Sequence, residues 1–341
     1  MRRRLCLCVR PESRGRWCSA MRIVQICPSS GDNFYCENCL RDAALVQALR
    51  RLGHDVLMVP LYLPLAADKI EPLSNAPIFF GGINVYLQQK LALFRRTPRW
   101  IDRWFDSQRL LAWAARKVGM TNAQDLGATT VSMLRGEEGR QVKELDRFVD
   151  WLRTEPQKPD VVCLSNILLA GMAKRIKERL GVPVVCLLQD EDGFLDGLTA
   201  PYAEQAWDIV RARAGDIDAF LAVSKYFADA MSVRLGPPAA RMHVAPMGID
   251  LDKYVPSDGK PAVPTIGFLS RMCPERGPER LVEAFILLKR NEKLRPVKLR
   301  VCGGRMSCDE PFLERLRHKL TAAGVLADVE FLPLFDPASK L

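Results

Sequence analysis

A chain of 341 residues, 48% hydrophobic and 26% charged, is long enough for two hydrophobic cores and apolar enough to fill them. It holds no run of eighteen apolar residues, so no segment reads as a bilayer span. Of the formal net charge of +10, six Arg and one Glu in the first twenty residues supply +5. The remainder is too weakly basic for a nucleic-acid footprint, and no aromatic-basic module of that kind occurs, so no nucleic-acid partner is expected.

Residues 1–20 begin with MRRR, but their apolar run, Leu5 to Val9, is shorter than the roughly 7–15 residues of a secretory signal. Met21 then opens MRIVQIC, a start codon abutting a buried-strand pattern. Residues 1–20 are expected to form a disordered extension. The eleven cysteines are odd in number, and Cys163, Cys186 and Cys302 sit inside apolar runs. That usage predicts reduced thiols in a cytoplasmic protein.

From Met21 onward, short apolar runs alternate with helical patterns, which predicts an α/β fold with a largely parallel sheet. RIVQIC is a strand. CLRDAALVQALRRLG is a helix with Leu40, Ala44, Leu45, Ala48, Leu49 and Leu52 expected on its buried face, ended by Gly53. HDVLMVP is the next strand, completing a βαβ unit. PDVVCLS, VPVVCLLQ, DAFLAVS and RMHVAPMG follow as strands, with NILLAGMAKRIKERLG a helix and another helix beginning at Ser224. No repeat of 20 to 50 residues is visible.

A different segment spans residues 87–119. Thr97 and Pro98 suit a helix start, Trp100, Ile101, Trp104, Phe105 and Leu111 recur at helical spacing, and Lys90 to Lys117 holds eight basic and two acidic residues. The favoured expectation is an aromatic stripe packed on the domain with solvated arginines. The alternative is a basic amphipathic helix resting on an anionic inner-membrane surface.

VPSDGKPAVP, from Val255, reads as a linker, so domains are expected at 21–255 and 256–341. After it come TIGFLSR, PERLVEAFILLKR, VKLRVCGG, PFLERLRHKLTAAG and DVEFLPLF, alternating strand and helix. Three strands and two helices make about half of a doubly wound domain.

The stretch CPSSGDNFYCENCLRD, Cys27 to Asp42, admits two readings. Cys36 and Cys39 form a C-x-x-C at a helix start, where a thiol pKa is lowered and redox or zinc chemistry becomes an alternative. A structural zinc needs four ligands, and the sequence supplies no second C-x-x-C, so no metal site is expected. The favoured reading is a ligand-facing loop after the first strand, with the cysteines unexplained by it.

Taken with that unit, DAFLAVSKYFADAM, HVAPMGIDLDKYVP and IGFLSRMCPERGPERLVEAF, the chain from Met21 to Leu341 resembles family 4 of the glycosyltransferases. The resemblance implies two Rossmann-like domains of the GT-B type, the second incomplete. It implies retaining transfer from a nucleotide-diphosphate sugar, bound by the second domain, to a saccharide or lipid-linked acceptor on the first, without cofactor. Arg271 and Arg276 would contact the donor diphosphate, where two fixed guanidiniums stabilise leaving-group charge. Arg276 stands in place of the family's usual Lys. Gly31, Asp32 and Asn33 would line the cleft, with one Gly where the family has a pair.

Gln189 and Asp190 stand where many members have His-Asp. Gln cannot act as a base, so Gln189 would hydrogen-bond the transferred sugar, while Asp190 to Asp192 read equally as a helix-capping loop. Met247 replaces the usual Asn before Gly248. The family's pair of acidic residues seven apart would lie beyond Leu341, so weak donor binding is expected. A non-catalytic remnant that binds acceptor or membrane is the alternative.

Overall fold

The computed structural model describes residues 19–28, 37–61, 79–80, 89, 123–236, 239–248, 259, 263–292, 296–304 and 309–332. Gly31, Asp32, Asn33, Cys36 and the segment 87–119 apart from Gln89 lie outside them, as do residues 1–18. Among the described residues, 19–28 and 38–248 form one compact unit, and Glu37 with residues 259–332 the other.

In the first unit six strands form one parallel sheet: β1 (Arg22–Cys27), β2 (Asp55–Pro60), β3 (Val161–Leu164), β4 (Val184–Leu188), β5 (Ala219–Ala222) and β6 (Met242–Val244), in the order β2-β1-β3-β4-β5-β6. Alternation across β1 sends Val24 and Ile26 to one core and Ile23 and Cys27 to the other, so the sheet is covered on both faces. That double burial is why these strands appear in the sequence as nearly unbroken apolar runs.

Helix α1 (Glu37–Arg51) covers the Ile23 face, where Val46 and Leu49 pack. The other core is the larger. Its helices include α2 (Ala123–Leu134), α3 (Val142–Thr154), α4 (Ala173–Leu180), α6 (Tyr202–Arg213) and α7 (Lys225–Leu235), and the six-residue α5 (Glu191–Asp196) follows β4. There Phe148 is fully buried and meets Phe79 edge to face at 5.2 Å. Helix α7 starts at Ser224 as its sequence predicts, with the Ser224 hydroxyl accepting the Phe227 N–H at 3.1 Å.

Three details differ from expectation. Helix α1 turns a rotated face inward: Asp42 and Val46 are fully buried, whereas Leu52 lies past the helix end and is 56% exposed. The cause is the bonding of Asp42, described below. The stretch after β3 winds first as a 3-10 segment, Ile167–Met172, and only then as α4. Strand β6 is three residues long, shorter than RMHVAPMG suggested.

The second unit contains a parallel sheet of β7 (Thr265–Leu269), β8 (Lys298–Cys302) and β9 (Val329–Leu332), in that order. Helices α8 (Pro278–Lys289) and α9 (Glu310–Ala322) pack together on one face, where Val282, Phe285, Phe312, Leu316 and Leu320 join Leu299 and Val301 in the core. The β7 pattern alternates exposed and half-buried, and the Arg300–Glu330 ion pair at 2.7 Å lies on the exposed face.

Candidate active site

The order of the first sheet places a topological switch between β1 and β3. The chain leaves β1 for β2 on one side and returns to β3 on the other, and the carboxyl ends of strands at such a switch are where doubly wound sheets generally take ligands. A polar cluster occupies this place. Gln25 interrupts the apolar run of β1 and points at α1, where Arg41 and Asp42 stand in the first turns. Ser165 and Asn166 follow β3, and Gln189, Asp190 and Glu191 follow β4. Gln25, Asp42, Ser165, Asn166 and Glu191 are all buried.

Arg41 binds the cluster together. Its Nε and Nη2 donate to Asp42 Oδ1 at 3.1 and 2.8 Å, and Nη2 also donates to the Ser165 carbonyl at 2.5 Å and hydroxyl at 3.2 Å. Its Nη1 donates to Gln189 Oε1 at 2.7 Å. Burial pushes the Asp42 carboxyl up against the pull of Arg41, Ser165 and Gln25. These bonds turn α1 so that an acidic residue faces inward, a rotation no hydrophobic period could announce.

Glu191 joins the β4 loop to the β3 loop. Its Oε2 accepts the Gln189 N–H at 2.6 Å, and the Ile167 N–H also supports the carboxylate. Burial outweighs these bonds and lifts its pKa from 4.5 to about 7. Asp190, exposed and left-handed at φ 60° and ψ 20°, turns the chain from β4 into α5. Asp is among the few residues that enter this region at modest cost. Asp190 makes no side-chain capping bond to α5.

Beneath the cluster, burial raises the Cys163 thiol to about 12 and lifts Cys186 well above its ordinary value, so neither is a nucleophile at neutral pH. Among the described residues no group of three His, Cys, Asp or Glu side chains is placed to hold a metal ion. No helix there is long and apolar enough to cross a membrane.

In the second unit Arg271 and Arg276 lie on the turn between β7 and α8. Strand pairing continues past the sheet: Ser270 N–H reaches the Cys302 carbonyl at 3.1 Å and Met272 N–H the Gly304 carbonyl at 2.9 Å. Position 303 must be Gly because a Cβ there would land on the Ser270 carbonyl. Residues Pro274–Arg276 form a 3-10 turn closed by Gly277 at φ 78°, and α8 begins at Pro278. Arg271 Nη2 stands 3.9 Å from Asp309 Oδ2, and its buried Nε has no hydrogen-bond partner among the described residues.

The two arginines converge on this turn. Glu275 is held below the ordinary carboxylate range by its own backbone N–H, by the Cys273 thiol and by the charges of Arg271 and Arg276. Arg276 is exposed and Arg271 half-buried. Arg276 stands beside the N-terminus of the twelve-residue α8.

Of the residues singled out in the sequence, the structure therefore groups Gln189 and Asp190 in the first unit and Arg271 with Arg276 in the second. Sequence reasoning missed Arg41, Asp42, Ser165 and Glu191. The available signals were Gln25 inside RIVQIC and the Arg-Asp pair just ahead of the apolar run Ala43–Val46 of α1.

Residues 43–248 match the family model described as a glycosyl transferase 4-like domain. No curated protein matches the sequence. Among solved structures the chain is similar to HepE of Anabaena in complex with UDP and glucose, at TM-score 0.55 and 13% identity, covering 93% of this chain and 70% of that one. It is also similar to the catalytic domain of starch synthase IV from Arabidopsis thaliana bound to ADP and acarbose, at TM-score 0.56 and 12% identity, covering 94% and 76%. Sucrose-phosphate synthase from Thermosynechococcus elongatus gives TM-score 0.56 at 13% identity, covering 94% and 72%. At such identities the likeness is one of fold, and the fold is GT-B. The match over residues 43–248 takes in most of the chain, which belongs to the glycosyl transferase 4-like family and is a glycosyltransferase.

Proposed function

We propose that the protein transfers a sugar, with retention at the anomeric carbon, from a nucleotide-diphosphate sugar to a saccharide or lipid-linked acceptor. The observation that carries this reading is the pair Arg271 and Arg276 on the tight turn at the carboxyl end of β7. Their charges suit a diphosphate, whose negative charge grows as the sugar departs. Guanidiniums carried on this turn would stabilise that charge without metal. In support, HepE was solved with UDP and starch synthase IV with ADP.

The first unit contributes groups of another kind. Gln189 has no proton to give or take at ordinary pH, so its role is to bind and orient a sugar hydroxyl. Asp190, exposed at the end of β4, lines the same place. The acceptor side is assigned to this unit. The test is a calorimetric titration of the protein from its own cells with UDP and with ADP. Binding of one nucleotide that weakens about tenfold or more in Arg271→Ala and in Arg276→Ala is expected, since a charged hydrogen bond contributes about 1.5–3 kcal/mol. Affinity unchanged by both substitutions would remove the assignment.

A further inference from the structure

The first-unit cluster contains a cation whose donors are almost all committed. A guanidinium has five N–H groups and no acceptor. In Arg41, Nε and Nη2 serve Asp42, Nη2 also serves Ser165, and Nη1 serves Gln189. Little remains for a ligand. Asp42, fully buried between α1 and β1, anchors the guanidinium from below.

The consequence falls on Gln189. Because Arg41 only donates, the carboxamide must turn its oxygen toward it, and the amide nitrogen then points the other way. The backbone of the same residue is tied as well, through its N–H to Glu191 Oε2. A side chain held at both ends loses little further entropy when it binds.

We infer that Arg41 is a positioning residue that fixes the Gln189 carboxamide with its N–H2 as the group offered to the ligand, so that this place accepts a sugar hydroxyl through its oxygen lone pair. The inference rests on the proposed contact of Gln189 with the sugar, and adds which atom makes it and what aims that atom. A ligand presenting only a hydrogen-bond donor here would meet another donor and be rejected.

The experiment is an NMR measurement on the full chain with 15N-labelled glutamine. The Gln189 side-chain amide pair is identified by its loss in Gln189→Glu. In the parent it is expected to be displaced from the solvent-exposed amides, and in Arg41→Met to return among them while the remaining signals stay put. A pair that does not move in Arg41→Met overturns the inference. If that variant loses its signal dispersion, Arg41→Lys keeps a charge beside Asp42 without the fork, and the same return is expected. An unmoved pair in Arg41→Lys again overturns it. The signal reports orientation with no sugar transferred. A displaced pair in a parent that binds neither UDP nor ADP contradicts the proposed function and leaves this inference standing, whereas a solvent-like pair in a parent that binds UDP contradicts the inference alone.

Discussion

Substituting Glu191 by Gln is expected to reverse sign in its effect on stability between pH 4 and pH 8. In the folded protein the carboxyl is buried and its pKa stands at about 7 instead of 4.5. A raised folded-state pKa stabilises the protein while the group is protonated in both states, and this contribution is lost as pH rises from 4.5 through 7. At about 1.4 kcal/mol per pH unit, the loss comes to roughly 3 kcal/mol. Gln cannot ionise, so the variant escapes that loss. It keeps one oxygen for the N–H groups of Gln189 and Ile167 but replaces the other with a donor, at a cost of about 1 kcal/mol at every pH. The variant should therefore be about 1 kcal/mol less stable than the parent at pH 4 and about 2 kcal/mol more stable at pH 8. Urea unfolding at the two pH values, followed by tryptophan fluorescence, reads the difference directly. A constant offset between parent and variant across this range would refute the assignment of an ionisable, buried Glu191.

Three other outcomes follow from the packing and the ion pairs. Phe148→Ala removes a fully buried ring from the edge-to-face contact with Phe79 and should cost about 3–5 kcal/mol in the first unit, read as a lower urea midpoint. Arg213 Nη1 reaches Glu137 Oε1 at 2.8 Å with both side chains largely buried, so Arg213→Met should cost about 3 kcal/mol at pH 7. Burial acts to raise Glu137, but hydrogen bonds from Arg213 and Lys174 overcome it and leave the pKa at about 2. The stability this gives is present above 4.5 and lost as pH falls through about 2, and the acid limb of a stability-versus-pH curve should flatten in the Arg213 variant. Gly303→Ala drives a methyl into the Ser270 carbonyl and should weaken UDP or ADP binding while the unfolding of the first unit stays unchanged, as separate calorimetric and fluorescence measurements would show.

The scaffold was legible in the sequence because parallel strands buried on both faces leave nearly continuous apolar runs, and RIVQIC and VVCLL are of that kind. The turn from Ser270 to Gly277 was legible too, since Pro274 and Gly277 mark the backbone and the flanking arginines mark the charge. Helix α1 was legible in position but not in rotation. Its buried face is chosen by the bonds of Asp42 to Arg41 and their neighbours, and those neighbours, Gln25, Ser165 and Gln189, come from three strands far apart in sequence. A period of 3.6 carries no record of such partners. Glu191 was hidden for the same reason: in the string QDEDG nothing distinguishes the one carboxylate that folds inward from the two beside it.

The central claim is sugar transfer, and its most direct measurement uses the protein isolated from its own cells. Incubated with UDP-glucose and ADP-glucose in the presence of its cell's saccharide and lipid extract, the protein should release one nucleoside diphosphate. It should also yield a product whose new glycosidic bond keeps the donor's anomeric configuration by NMR. Release that disappears in the Arg271→Ala, Arg276→Ala double variant completes the prediction. A product of inverted configuration would contradict the proposed course of the reaction, and release undiminished in the double variant would contradict the proposed donor site.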